Sequence, residues 1–398
     1  MLELSSYRDL MARCCHCGLC QASCPVYLED QLQTHVARAR VDLIRASLLE
    51  GSLPVTERLR EVVDRCLLCT SCTRTCAAGV PGDEIVTAAR FVLYRKGPSV
   101  RRVFLRSFMR RRGLGPLVGA AGALAARLGW RADDVPAPAA RAFLARSPKR
   151  ILPDGKARLR VAYFVGCATN TFYPDTAEAV VKVLARNGVE VILPDGLGCC
   201  GMPALADGDL VAAQERIRKN VTLLGREEVD ACVTDCTSCG MVFREKALKL
   251  LPEDDPVRPL ASKIAAGFWE VTDYLEHAGL IAEPSVPAGP YTYHVPCHGG
   301  WTPDLKESPR RLLAGVPGAE RVEMEYPERC CGAGGSFFAS FRELAAGIRS
   351  RKVEDIRRTG VKNVITQCPA CRSYLSNPLH DCSIMHPMAF LARAYGFP

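Results

Sequence analysis

Hydrophobic positions follow two different periods along this chain. Between residues 26 and 65 they recur at helical spacing, as in "HVARARVDLIRASLLEG" (35–51), which predicts helix with Gly51 as its cap. From residue 159 onward, short apolar runs alternate with helical patterns. "RVAYFVGC" (160–167) predicts a buried strand ending at a cysteine, and "DTAEAVVKVLARNG" (175–188) predicts a helix. "VEVILPDGLGCCG" (189–201) is a strand running into a Gly-rich loop, followed by a helix from about Asp209. "DACVTDCTSCG" (230–240) is a strand whose far end carries cysteines. The order then recurs: "YTYHVPC" (291–297), a helix near 308–314, "ERCCGAGG" (328–335), the helix "FRELAAGIRSRKVEDIRRTG" (341–360) and "KNVITQCPAC" (362–371). Matching cysteines are offset by 130, 131, 131, 132 and 132 residues, which is the mark of a duplicated module. Strands alternating with helices predict α/β units with mainly parallel sheets, whose ligands lie at the carboxyl ends of the strands.

Between these zones, residues 97–158 read as a linker without cysteine. "RRVFLRSFMRRRG" (101–113) places six arginines between Arg101 and Arg112, and Val103, Phe104, Phe108 and Met109 can share one helical face. A solvated bridging helix or a partner contact accounts for it, with an arm on an anionic membrane surface as the other reading. The apolar stretch that follows is short, Gly-rich and interrupted by Arg127, so it predicts no bilayer span.

Composition sharpens the picture at one point. The chain has 398 residues, enough for two or three domains, and 48% hydrophobic residues to bury. A formal net charge of +9 is modest for this length and predicts no nucleic-acid partner. The 21 cysteines are the outlier. "MLELSSYRDLMARCC" has no basic, then apolar, leader pattern, so the expectation is a cytoplasmic chain whose cysteines bind metal instead of forming disulfides.

Cys14, Cys17, Cys20 and Cys24 have the spacing C-x2-C-x2-C-x3-C, and Cys66, Cys69, Cys72 and Cys76 repeat it. Zinc sites use CxxC pairs instead of two triple runs, each with a distal fourth cysteine. The run resembles that of two-cluster ferredoxins, in which the fourth cysteine serves the other cluster. Carried over, Cys14, Cys17, Cys20 and Cys76 hold one cubane [4Fe–4S] cluster, and Cys66, Cys69, Cys72 and Cys24 a second. Cys15 fits neither run and reads as a buried spare thiol, and His16 reads as a solvated or supporting side chain.

The repeats each carry five cysteines: Cys167, Cys199, Cys200, Cys236 and Cys239, then Cys297, Cys330, Cys331, Cys368 and Cys371. Five thiols with an adjacent pair exceed what zinc or one cubane needs, and Gly201 and Gly332 would let backbone approach an inorganic core. Cys232 and Cys382 fall outside the pattern, as core or surface thiols. His294 and His298 flank Cys297, and His386 lies in "SIMHPMAF". His298 is a candidate proton donor beside thiol chemistry. Gly332, Gly334 and Gly335 lack a following Lys-Ser/Thr, so no phosphate loop is expected, and no dinucleotide fingerprint appears.

These pentads resemble the cysteine-rich CCG domain of heterodisulfide reductase catalytic subunits and of the iron–sulfur subunits of glycolate oxidase and anaerobic glycerol-3-phosphate dehydrogenase. The first 96 residues are most similar to the glycolate oxidase protein, and the complete pentads to the reductase. The resemblance implies an N-terminal all-α ferredoxin-like module (1–96), the linker (97–158) and two α/β CCG domains (159–285 and 286–398). It implies up to two non-cubane [4Fe–4S] clusters beyond the two cubanes, with Cys200 and Cys331 important for activity. It also implies an electron-transfer subunit working with a flavoprotein dehydrogenase or electron-transfer flavoprotein, and a disulfide or quinone-type acceptor. The alternative is a scaffold that anchors a glycolate, lactate or glycerol-3-phosphate dehydrogenase through a membrane subunit, or peripherally at the inner membrane face.

Overall fold

A computed structural model describes residues 3–94, 136–301, 304–335 and 337–397. The basic segment 101–112 and the apolar stretch after it lie outside the described residues. The chain divides into two compact units. Among the described residues, the first comprises 3–94 with 201–214 and 329–352, and the second comprises 136–200, 215–328 and 353–397. No helix among the described residues is long and apolar enough to cross a membrane.

Residues 3–94 are helical, with no strand among those described. The helix Gly82–Tyr94 is buried on nearly every side, and Ile85, Val86, Ala89 and Phe91 meet the apolar faces of Ala37–Ile44 and Glu57–Asp64. Thr56 caps the latter, its hydroxyl accepting from Leu59 N at 3.2 Å. Gly51 (φ 68°) takes the left-handed conformation just past the helix ending at Leu49. Each fully buried aliphatic side chain here contributes about 1.5–3 kcal/mol.

The second unit holds two sheets. Strands β1 (Arg150–Ile151), β2 (Leu159–Tyr163), β3 (Val189–Ile192), β4 (Ala231–Thr234) and β5 (Phe268–Glu270) are ordered β1-β3-β2-β4-β5. All pairs are parallel except β1–β3, with Val161 opposite Val191 on one side and Ala231 on the other. Strands β6 (Tyr291–Tyr293), β7 (Asn363–Ile365) and β8 (Ser383–Met385) form a parallel three-stranded sheet. Here the counterpart of β3 shrinks to a single bridge, Tyr291 to Arg321. Strand β1 comes from the stretch read as linker, and Phe143, just before it, is buried in the core. Two-residue pairing is below what hydrophobic periodicity can reveal.

The duplication is visible in the packing. Helix Pro174–Arg186 packs on Pro387–Ala394, and Val271–Ala278 packs on Ser308–Ala314, so each repeat lends one helix of each kind to the other. One hydrophobic core runs through both sheets, from Val161, Val191 and Val233 to Tyr293, Ile365 and Leu391.

Candidate metal centres

In the first unit the two ferredoxin-spaced runs adopt the same backbone. His16 (φ 56°) and Gly18 (φ 86°) match Leu68 (φ 53°) and Thr70 (φ 61°) in position and in left-handed conformation. Three non-glycine residues held there cost energy that a loop wrapping an inorganic core can offset. Thiols group across the runs. Cys14 has Cys20 and Cys76 as electrostatic neighbours, whereas Cys72 has Cys66, Cys69 and Cys24. Cys24, Cys66, Cys69 and Cys72 line one cavity. Burial pushes the Cys69 and Cys72 thiols well up, and neighbouring thiols add to it. Such a set becomes thiolate only when a cation arrives with the deprotonation.

The surroundings suit an iron–sulfur core. Backbone amides donate to sulfur from Leu68 to Cys66 (3.5 Å) and from Val80 to Cys76 (3.3 Å). A Cβ on Gly82 would sit 3.0 Å from Cys72 Sγ, so a side chain there would press on the thiol. Two buried arginines stiffen the second loop. Arg40 donates to Val62 O and Arg65 O, and Arg90 to the carbonyls of Val63, Asp64 and Cys66. Burial lowers Arg90 from its ordinary value, with Cys66 the leading influence the other way. The same unit brings Cys330 beside Cys69, and Gly334 so close to Leu67 that a Cβ there would lie 2.4 Å from Leu67 Cδ2. Exposure varies within each run: Cys17 is exposed and Cys24 buried in the first, and Cys69 is buried in the second.

In the second unit the first pentad converges. Cys167 follows β2 and opens the helix Cys167–Phe172, Cys199 and Cys200 lie in the loop after β3, and Cys236 caps the helix Thr237–Met241 after β4. Their side chains form one string: Cys167 to Cys199, Cys199 to Cys200, Cys200 to Cys239, and Cys239 to Cys236. Hydrogen bonds from Cys199 and Cys239 hold the Cys200 thiol below its ordinary value, whereas the bond to Cys200 pushes Cys239 up. Gly166 also bears on the string, since a Cβ there would meet Cys239 Sγ at 3.5 Å. Gly201 (φ 102°) supplies the left-handed turn after the adjacent pair. In the second pentad Cys297 follows β6, and Cys368 caps the helix Pro369–Ser376 with the backbone angles of Cys236. Cys330, Cys331, Cys368 and Cys371 are buried.

The model for the cysteine-rich domain (CCG) matches residues 161–244 and 291–376, and that for a 4Fe-4S dicluster domain matches 10–80. The chain is 31% identical to lactate utilization protein A of Bacillus pumilus, covering 52% of this chain and 86% of that protein. The chain belongs to the CCG-domain iron–sulfur family. It is 27% identical to a probable glycolate oxidase iron-sulfur subunit of Bacillus subtilis, over 91% of this chain and 87% of that protein. It is 30% identical to one chain of the CoM/CoB fumarate reductase of Methanothermobacter marburgensis, over 59% of this chain but 46% of that longer protein.

In this CCG protein the two modules are laced together beside their cysteines. Thr237 N donates to Gln367 O at 3.1 Å, and Trp301 Nε1 to Thr237 O at 3.0 Å. His298 reaches the other module: its Nδ1 lies 2.8 Å from Ser238 Oγ, between Cys236 and Cys239. His294 is buried at the end of β6. Cys232 lies in β4, its thiol pushed up to about 12 by burial, whereas Cys15 is exposed and not the buried thiol expected, because it sits on the outer side of the loop that turns its neighbours Cys14 and Cys17. Sequence reasoning missed Arg40, Arg90 and Glu270. Each is a single charged residue in a helical or strand pattern, and only tertiary contact distinguishes it from a solvated one.

Proposed function

We propose that this chain is the iron–sulfur electron-transfer subunit of an oxidoreductase complex, passing electrons between a flavoprotein dehydrogenase partner and a disulfide or quinone-type acceptor. The observation that carries this reading is the convergence of sulfur: thiols grouped across the two ferredoxin-spaced runs, and five more in one string at the carboxyl ends of parallel strands. Relatives named for glycolate oxidase, lactate utilization and CoM/CoB fumarate reductase support it.

Iron–sulfur clusters, when bound, supply one-electron redox chemistry. Cys14, Cys17, Cys20 and Cys76 would hold one cubane, and Cys66, Cys69, Cys72 and Cys24 the other. Each pentad would hold a further cluster. The exposed Cys15–Cys17 loop suits the partner's side, because electron exchange between proteins needs close approach. Arg40 would offset thiolate charge at Cys24, and Arg90 at Cys66. The closeness of Cys330 to Cys69 favours the second run as the neighbour of the second module. Cys200 and Cys331 are proposed as the cysteines on which activity depends, and His298 as a proton donor reaching between the modules. The chain would work in the cytoplasm or peripherally at the membrane's inner face.

The test uses anaerobically prepared, iron-loaded chain. A thiol added to the oxidised protein gives a new EPR signal if a disulfide is the acceptor's chemistry. Reoxidation of the reduced protein by a quinone analogue, without any thiol response, supports the quinone branch. A loaded chain that responds to neither overturns the proposed function.

A further inference from the structure

At the carboxyl ends of β5 and β8 the two modules place different residues at the same site. Glu270 and His386 each cap the helix that follows its strand. Both are buried, Glu270 fully and His386 at 3% exposure. They meet each other: His386 Nε2 lies 3.1 Å from Glu270 Oε1. Met388 N donates to His386 Nδ1 at 3.1 Å, so the cap fixes the imidazole with its hydrogen on Nε2, donating to the carboxylate. Glu270 Oε2 accepts from Thr272 N (2.8 Å), from Asp273 N (3.4 Å) and from Gln367 Nε2 (2.6 Å). Gln367 Oε1 in turn accepts from Tyr293 Oη at 2.5 Å. A carboxylate is thus buried where the modules join, with hydrogen-bond donors but no Lys or Arg bonded to it, and one of those donors is Gln367, the residue preceding Cys368.

We propose that Glu270 is the proton-accepting group shared by the two cysteine pentads: when the pentad region gains one electron from a one-electron reductant, one proton from solvent binds the Glu270 carboxylate. The charge added is thereby cancelled inside a low-dielectric core, where an uncompensated charge is expensive. His386 is the positioning residue that holds Oε1, and Gln367 the residue that links Oε2 toward Cys368. The groups facing the pair from the elements around it are Asp235 at the end of β4, Asp273 on the helix Val271–Ala278, Tyr163 on β2, and Tyr293 on β6 with Arg310 over its ring. None of these bonds Glu270 through a charged side chain. Asp235 is occupied by Tyr163 (2.9 Å) and Thr169, and Asp273 accepts from Ser308 at 2.5 Å.

This inference rests on the pentads holding redox-active clusters. The test is a potentiometric EPR titration of the full, iron-loaded chain with dithionite at several pH values, with iron measured on the same samples. The native chain is expected to show a pentad potential that falls by ~59 mV per pH unit, one proton per electron. Glu270→Gln keeps an acceptor for Thr272 N and is expected to lose that slope. His386→Asn keeps a cap for Met388 N and is expected to retain the slope, as is Asp235→Asn. Infrared difference spectra of the native chain, reduced minus oxidised, supply a readout free of any folding defect in a variant: a protonated-carboxyl band is expected to appear. A loaded chain with a pH-independent potential, a slope that survives Glu270→Gln, or no carboxyl band overturns the proposal alone. A chain that takes up no iron overturns the cluster reading and this proposal with it.

Discussion

The two cysteine-rich modules share a plan and differ in how each is finished. The first has five strands, one borrowed from the stretch before it, and the second has three and a single bridge. Beside the CxxC pair the first carries Asp235 where the second carries Gln367, and the strand end is Glu270 in one and His386 in the other. The contact across the join also differs. The residue after Cys239 is Gly240, whose missing Cβ leaves room for Trp301, and the residue after Cys371 is Arg372, which lies 4.2 Å over the Tyr173 ring and pairs with Asp175 at 2.8 Å. A duplicated fold has kept its sulfur positions and diverged in the charges around them. Equivalent ligands in unequal surroundings are how one chain can give two centres different potentials.

The largest test of that contrast removes one thiol at a time. Cys200→Ser is expected to cost the first module its share of bound iron and leave the second, and Cys331→Ser to do the reverse, read by iron content and EPR. Loss of all pentad iron in either variant would mean that the modules load as one.

Next in size is the join. A Cβ on Gly240 would sit 2.2 Å from Trp301 Cζ2, so Gly240→Ala is expected to destabilise the second unit by about 1–3 kcal/mol in denaturant melts. An unchanged midpoint would show that Trp301 moves aside freely.

A smaller effect separates the helices after β5 and β8. Asp273 is buried where the second module has Ala389, and burial raises its carboxyl above the ordinary 3.8 despite the bond from Ser308. A raised carboxyl stabilises fully below its unfolded value, and that stabilisation is lost as pH rises through its folded value. Asp273→Asn is therefore expected to gain stability relative to the native chain as pH rises above 3.8, seen in melts between pH 4 and pH 8. A constant difference across that range would contradict it. The smallest effect belongs to Cys232, whose counterpart is Val364. Cys232→Val is expected to change stability by less than about 1 kcal/mol and iron content not at all. Lost iron would make Cys232 a ligand.

Much of this comparison was legible in the sequence. The 130–132-residue offsets announce the duplication, and cysteines at strand ends follow from hydrophobic runs that stop where the thiols begin. The crossed grouping of Cys24 and Cys76 is what the resemblance to two-cluster ferredoxins implies. Other features leave no local signal. Strand β1 is two residues long and has no pattern of its own. His298 looks like a neighbour of Cys297 in sequence but bonds Ser238, because the fold and not the chain sets its partner. Glu270 sits in "FWEVTDY", where an acidic residue before a helix reads as a cap, and only the meeting with His386 and Gln367 gives it a second meaning.

The central claim is that the patterned cysteines hold iron–sulfur clusters in both the ferredoxin-spaced runs and the two pentads. Quantifying iron, acid-labile sulfide and zinc on anaerobically purified, folded chain tests it most directly. The account predicts four clusters' worth, about 16 iron atoms with matching sulfide. Stoichiometric zinc with little iron or sulfide would contradict it.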